Sequence, residues 1–274
     1  MDKRLEMTCG IGELKRLLRT KYDFVCSIGP DCGCAAHLVR CRLRRASYPL
    51  DWIGTWTLGV VTLAKLVAND FAGFLRQENL HRCEKQPDGP LDDSRHDWYS
   101  DDVMHIDHLH DFPAGRPLEE SYPEVRRKFD RRIKRFYDTV RASKRTLFVY
   151  WTWRNHPEEA ELLRMAEVFR GKFPGVRIDL LVMRHADHGG IKAREIGDGV
   201  ILVDAPIHPA GGHPAFGDTA LNRKLFGTIR LRGNWRTVLR ARLAHLATRA
   251  RAVFIFNAEK RRAYRRSLRK TKIT

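Results

Sequence analysis

The chain has 274 residues, with 51 Lys plus Arg against 33 Asp plus Glu, a formal charge of +18 and 43% hydrophobic residues. That balance excludes a fibre or a disordered chain and allows one large domain or two small ones. Near the middle, the longest charge-free stretch (52–64) ends at Lys65, short of the roughly 20 apolar residues a spanning helix needs, and no secretory apolar segment opens the chain. A cytoplasmic protein, at most peripheral to a membrane, is expected.

Residues 22–29 (YDFVCSIG) are rich in β-formers and end at Gly29-Pro30-Asp31, which predicts a strand running into a turn. Asp31 is placed to cap a following helix whose apolar positions are Ala35, Ala36, Leu38, Val39 and Leu43. A buried helix is expected over 56–76 and a polar loop over 84–102. Ser121-Tyr-Pro-Glu124 has capping-box spacing, and Val125, Phe129, Ile133, Phe136 and Val140 recur at helical steps. Next come a strand at 146–151, a helix opened by Pro157 and running to about 171, and a strand at 176–183. That order implies parallel pairing through a right-handed crossover. Strand-like runs at 199–204 and 225–231 enclose APIHPAGGHPAFG, read as a long surface loop. The fold class is therefore α/β, a mixed sheet containing a parallel strand-helix-strand unit.

Charge is concentrated at one end. From Asn222 to Thr274 there are 17 basic residues and a single acid, Glu259, whereas the preceding 221 residues are nearly neutral. The chain divides on this basis into 1–221 and a basic, mostly helical 222–274. On a helix, Arg261, Arg262, Arg265, Arg266, Arg269 and Lys270 would form one face suited to an acidic polymer or anionic membrane. Stacking aromatics are few there and no nucleic-acid module pattern appears, so sequence-specific nucleic-acid binding is not expected.

The six cysteines all lie within the first 83 residues and read as thiols, not a disulfide framework. Cys32 falls in the first turn of the predicted helix, where free backbone N–H groups and the helix dipole favour thiolate. Core packing accounts adequately for Cys26, Cys34 and Cys41. His105, His108 and His110 crowd six positions, which suits either a zinc site or a base for a distant cysteine. His-x-x-His-x-His-Asp matches no metal-hydrolase signature, and no metal or cofactor is assigned.

Ser27-Ile-Gly-Pro-Asp-Cys32, Ser47-Tyr-Pro-Leu-Asp51-Trp52, His110-Asp111-Phe112 and Arg131-Arg132 with Arg135-Phe136 occur in that order over about 22–155. Together they resemble an uncharacterised family described as papain-like cysteine peptidases. The family pattern has Phe at Leu50 and Leu at Ile28, and both positions stay apolar. The resemblance implies Cys32 as nucleophile and His110 as its base, with Cys32 Sγ and a His110 ring nitrogen expected within about 3–5 Å.

Acyl transfer through a thioester would follow, on an amide or ester the sequence does not specify. The Cys32 N–H would form half of an oxyanion hole, with the Ser27 hydroxyl as candidate for the other half against its ordinary role of bonding the turn. Asp51 and Asn155 compete to orient His110, although Asn155 can equally cap the helix after Pro157. Trp52 supports the Asp51 block, and Asp111 would point away from His110 on a strand. Non-catalytic anion binding through 222–274 and a zinc protein are the competing readings.

Overall fold

Several β-strands lie side by side in the centre of the molecule because their sequences are apolar on both faces. The computed structural model describes residues 3–84, 95–187, 189–213 and 215–233, with 3–9 described by backbone alone. In chain order the elements are α1 (Lys3–Leu17), β1 (Lys21–Tyr22), β2 (Phe24–Ser27), α2 (Cys32–Arg40), β3 (Ile53–Gly54) and α3 (Val60–Ala68). There follow β4 (Leu80–Arg82), β5 (His96–Asp101), β6 (Ile106–Pro113), α4 (Leu118–Arg141), β7 (Arg145–Thr152) and α5 (Glu159–Lys172). The last are β8 (Arg177–His185), β9 (Lys192–Gly197), β10 (Val200–Ala205), α6 (Thr219–Phe226) and β11 (Arg230–Leu231).

The main sheet has the order β2-β7-β8-β10-β9. β2, β7, β8 and β10 pair in parallel and β9 is antiparallel to β10. Strand periodicity then sorts the side chains onto two faces. Phe148, Tyr150, Leu180, Val182 and Leu202 face a core shared with α3, α4 and α5. Leu147, Val149, Trp151, Leu181, Met183 and Val203 face the other, against α1, α2 and α6. A smaller antiparallel sheet, β3-β6-β5-β4, completes the first core through Ile53, Leu80, Tyr99, Ile106 and Phe112. The expected mixed sheet and parallel β7-α5-β8 unit are present.

Several local expectations change. The helix expected over 56–76 is only Val60–Ala68, since Asp70 and Phe71 take positive φ (57° and 58°) and break the 3.6 period. β5 occupies part of the segment read as a polar loop; its burial alternates, and its solvent-side polar residues obscured the pattern. α4 begins a turn before the capping box. Ser121 is buried with its Oγ donating to the Pro117 carbonyl at 3.0 Å, so it does not cap.

The basic division at 221 cuts through α6, whose Asn222, Leu225 and Phe226 are buried, so 225–231 is a helix end followed by the short β11. β11 pairs with β1, and the first compact unit runs to Arg232. Arg261, Arg262, Arg265, Arg266, Arg269 and Lys270 lie outside the described residues. Among the described residues no helix is long and apolar enough to cross a membrane.

Candidate active site

Cys32 begins α2 as the sequence predicts, capped by Asp31, whose Oδ1 accepts the Gly33 N–H at 2.8 Å. The turn before it is anchored from β3: the Thr55 N–H donates to the Pro30 carbonyl at 2.7 Å and the Thr55 hydroxyl at 3.3 Å. Gly33 leaves room for a neighbouring segment. A Cβ there would lie 2.7 Å from the Ala215 carbonyl oxygen and from the Trp151 ring.

That neighbour is the Gly/Pro-rich segment after β10, which packs onto α2 and is not simply a surface loop. Asn222 holds it through Nδ2, which donates to the carbonyls of Ile207 (3.1 Å), Phe216 (3.3 Å) and Asp218 (2.8 Å). Trp151 Nε1 donates to Asn222 Oδ1 at 2.8 Å, fixing the amide orientation. The His37 Nε2–H, facing the Phe216 carbonyl at 3.1 Å, adds a bond from α2.

These contacts enclose a cavity of about 200 Å³ lined by Asp31, Cys32, Trp52, Ile53, Trp56, Leu109, Trp153, Arg154, His208 and Ala215. Four of these, Cys32, Trp153, Arg154 and His208, follow the carboxyl ends of the parallel strands β2, β7 and β10, where open α/β sheets place their sites. His208 stacks on Trp153 with ring centroids 4.0 Å apart and an interplanar angle of 12°. Arg154 lies over the Trp153 ring at 4.1 Å and the Trp56 ring at 5.3 Å.

The electrostatics oppose the expected thiolate. Burial, then the Asp31 charge, pushes the Cys32 thiol up to about 12, against the helix-start N–H. Burial likewise pushes Asp31 up to about 6, opposed by the Gly33 hydrogen bond and by Arg154 and His208. At rest Cys32 is a thiol, and a base must remove its proton for it to attack.

Among the other candidate residues that the structure describes, Trp52 lines the same cavity and the rest do not. Asp97 pairs with Phe112 but Tyr99 pairs with His108, so residues 109–111 of β6 bulge out of register. Leu109 reaches the cavity, while His110 is edge-on to Trp52 at 6.3 Å and to His96 at 6.2 Å. His110 is not among the cavity-lining residues. Asp111 turns inward to His108 (3.3 Å) and Lys128 (2.8 Å), with Arg132 at 3.6 Å. Against burial, His108 and Lys128 hold its carboxyl well below the usual range. Among the described residues no three His, Cys, Asp or Glu side chains converge as metal ligands.

Asp51 is fully buried; its Oδ2 accepts from Arg44 Nε (2.8 Å) and the Tyr48 N–H (2.7 Å), closing the 44–51 turn. Trp52, the next residue, is a cavity wall. Ser27 is buried, accepting the Gly29 N–H at 3.4 Å, and does not line the cavity. Asn155 Nδ2 donates to the Trp56 carbonyl at 2.7 Å, so Asn155 steadies a wall from behind, and α5 is capped by Glu158 instead. His208, Arg154, Trp56 and Trp153 were not singled out from the sequence. The available signal was their position just beyond strand ends.

The site so defined is a cysteine at a strand-to-helix turn, opening on an aromatic cavity in an α/β fold. The chain belongs to the family described as "Putative papain-like cysteine peptidase (DUF1796)", whose profile matches residues 23–188. It is also similar to an uncharacterized protein of Acanthamoeba polyphaga mimivirus, 26% identical over 134 residues, covering 45% of this chain and 59% of that protein. The chain thus spans about three fifths of the length of this relative. No solved structure matches.

Proposed function

We propose that the protein is a thiol-dependent hydrolase or acyltransferase acting on an amide or ester through a Cys32 thioester. The observation that carries this reading is Cys32 at the first position of α2, opening into a cavity walled by Trp52, Trp56 and Trp153. The thiol proton passes to a histidine, the sulfur attacks the substrate carbonyl, and the leaving group departs protonated. Water or an amine then releases the acyl group. The Cys32 N–H, at the helix start, supports the developing oxyanion.

Two histidines compete for the proton. His208 is favoured by sharing the cavity with Cys32 and Asp31; His110 is favoured by the family motif and by its contact with the Trp52 wall. Acylation by a panel of activated esters, followed by mass mapping of the modified peptide, tests both. Cys32 should carry the acyl group, and either H208Q or H110Q, whichever removes the base, should slow acylation by about 10²- to 10⁴-fold. Acylation that survives C32S would overturn the reading.

The basic segment 222–274 supports a second reading by its charge alone, as a binder of an acidic polymer or anionic membrane surface. Retention on heparin that weakens steeply with salt, and disappears on deletion of 259–274, tests it.

A further inference from the structure

On the far side of the small sheet a second cysteine sits in a different arrangement. β4 pairs with β5 so that His81 lies opposite Ser100, and period-2 alternation places His81 and Cys83 on the same side of the chain. Cys83 Sγ is 3.3 Å from His81 Nε2, and His81 Nδ1 is 2.8 Å from Asp102 Oδ2. Asp102 is held there by its own N–H, which donates to the Asn79 carbonyl at 3.1 Å. The His81 and Asp102 side chains are 49% and 67% exposed, and Cys83 is part-exposed, so small molecules can reach the group.

The three side chains form a relay. A carboxylate accepts only, so Nδ1 of neutral His81 carries the proton that Asp102 binds, leaving Nε2 as an acceptor aimed at the Cys83 thiol. Among the described residues the ionisable groups around the thiol are His81 on its own strand and Asp107 and Asp102 from the β5–β6 side; burial and both acids favour the protonated thiol, against a backbone hydrogen bond from Ser100. Reactivity must therefore come from proton transfer to His81 as the sulfur attacks.

The geometry is incomplete for acyl transfer, because the Cys83 N–H that could steady an oxyanion already donates to the Trp98 carbonyl at 2.9 Å. Attack on a disulfide sulfur develops no oxyanion and needs no such donor.

We propose that Cys83, with His81 as base and Asp102 as the residue positioning His81, is a thiol-disulfide exchange site for low-molecular-weight disulfides. The Cys83 proton moves to His81 Nε2, and the Cys83 sulfur bonds to one sulfur of the disulfide as its S–S bond breaks. The departing thiolate takes the proton back from His81. The products are a mixed disulfide at Cys83 and one free small thiol, with no other oxidant consumed.

The test is incubation of the full chain with oxidised glutathione, quenching at intervals and mass mapping of every cysteine. Cys83 should form the mixed disulfide at least about 10-fold faster than Cys41, which is also part-exposed but whose sulfur faces the Arg223 carbonyl at 3.8 Å. H81Q should lower the Cys83 rate about 10-fold and remove the imidazole inflection from its pH–rate profile. D102N should lower the rate several-fold and shift that inflection, a change that mere loss of local structure would not produce. A Cys83 rate no greater than that of Cys41, or one unchanged in H81Q, would overturn the proposal. Both substitutions are at exposed positions, and unaltered circular dichroism would tie their effects to the relay.

Discussion

Cys32 and Cys83 carry the same thiol into opposite surroundings. Cys32 has what a substrate needs, a helix start and an enclosing wall of tryptophans, but its neighbouring carboxylate opposes ionisation. At Cys83 there is what a proton needs, an imidazole at 3.3 Å steadied by a carboxylate, at a part-exposed strand end where the Cys83 N–H is already donated to the Trp98 carbonyl. Carboxylates near thiols therefore act in two senses: directly beside sulfur they hold the proton on, and through an imidazole they help to take it off.

The largest expected effect separates the two thiols by reaction. C32S should lower ester turnover by at least ~10³-fold, measured under saturating substrate, because no other group on the cavity wall is a comparable nucleophile. The control C41S should keep turnover near that of the unaltered protein. Turnover equal in C32S and C41S would remove the distinction drawn for Cys32.

The bulge in β6 carries a buried carboxylate, Asp111, held by Lys128, Arg132 and His108. D111A would leave Lys128 and Arg132 facing a buried void beside His108, and should destabilise the protein by about 3–5 kcal/mol in urea unfolding. Loss of activity without loss of stability would instead place Asp111 in the chemistry.

Titration of the Asp31 neighbourhood gives the next effect. Its carboxyl is raised from 3.8 to about 6 in the folded protein, so between about pH 4 and pH 6 the folded state holds a proton the unfolded chain has released. Stability from this group is present below that window and lost as pH rises through it, by on the order of 3 kcal/mol. Asp111, held low, works in the opposite sense and contributes stability that is lost as pH falls below the ordinary carboxylate range. Thermal unfolding of D31N across pH 4–7 should lack the Asp31 decline. An identical slope in the variant would remove the burial argument.

The smallest effect is the sharpest comparison. Neutralising the carboxylate should act with opposite sign at the two thiols: D31N, which keeps a capping side chain, should speed Cys32 alkylation by iodoacetamide several-fold at pH 7, whereas D102N should slow mixed-disulfide formation at Cys83 with oxidised glutathione several-fold, because the loss of a positioned imidazole outweighs the direct effect of the Asp102 charge on the thiol. Equal signs would show that the two carboxylates share one role.

Much of this was legible in the residues themselves. Asp31 caps α2, the 3.6-residue recurrence of Val125 to Val140 makes α4, and the apolar runs at 146–151 and 176–183 pair in parallel, because each depends on forces acting within one element or between successive ones. Cys32 as the thiol at a helix start was equally local, as were the motifs that mark the family. His208, in contrast, reaches the Cys32 cavity only because Asn222 fastens the loop after β10, and Asp111 turns inward only because β6 bulges against β5. Asp51 became the anchor of a turn through Arg44, and His81 and Cys83 formed a relay with Asp102 through strand pairing. Those arrangements depend on contacts set by tertiary packing and strand register. Periodicity along the chain carries the positions of helices and strands; which side chains meet is decided when the two cores close.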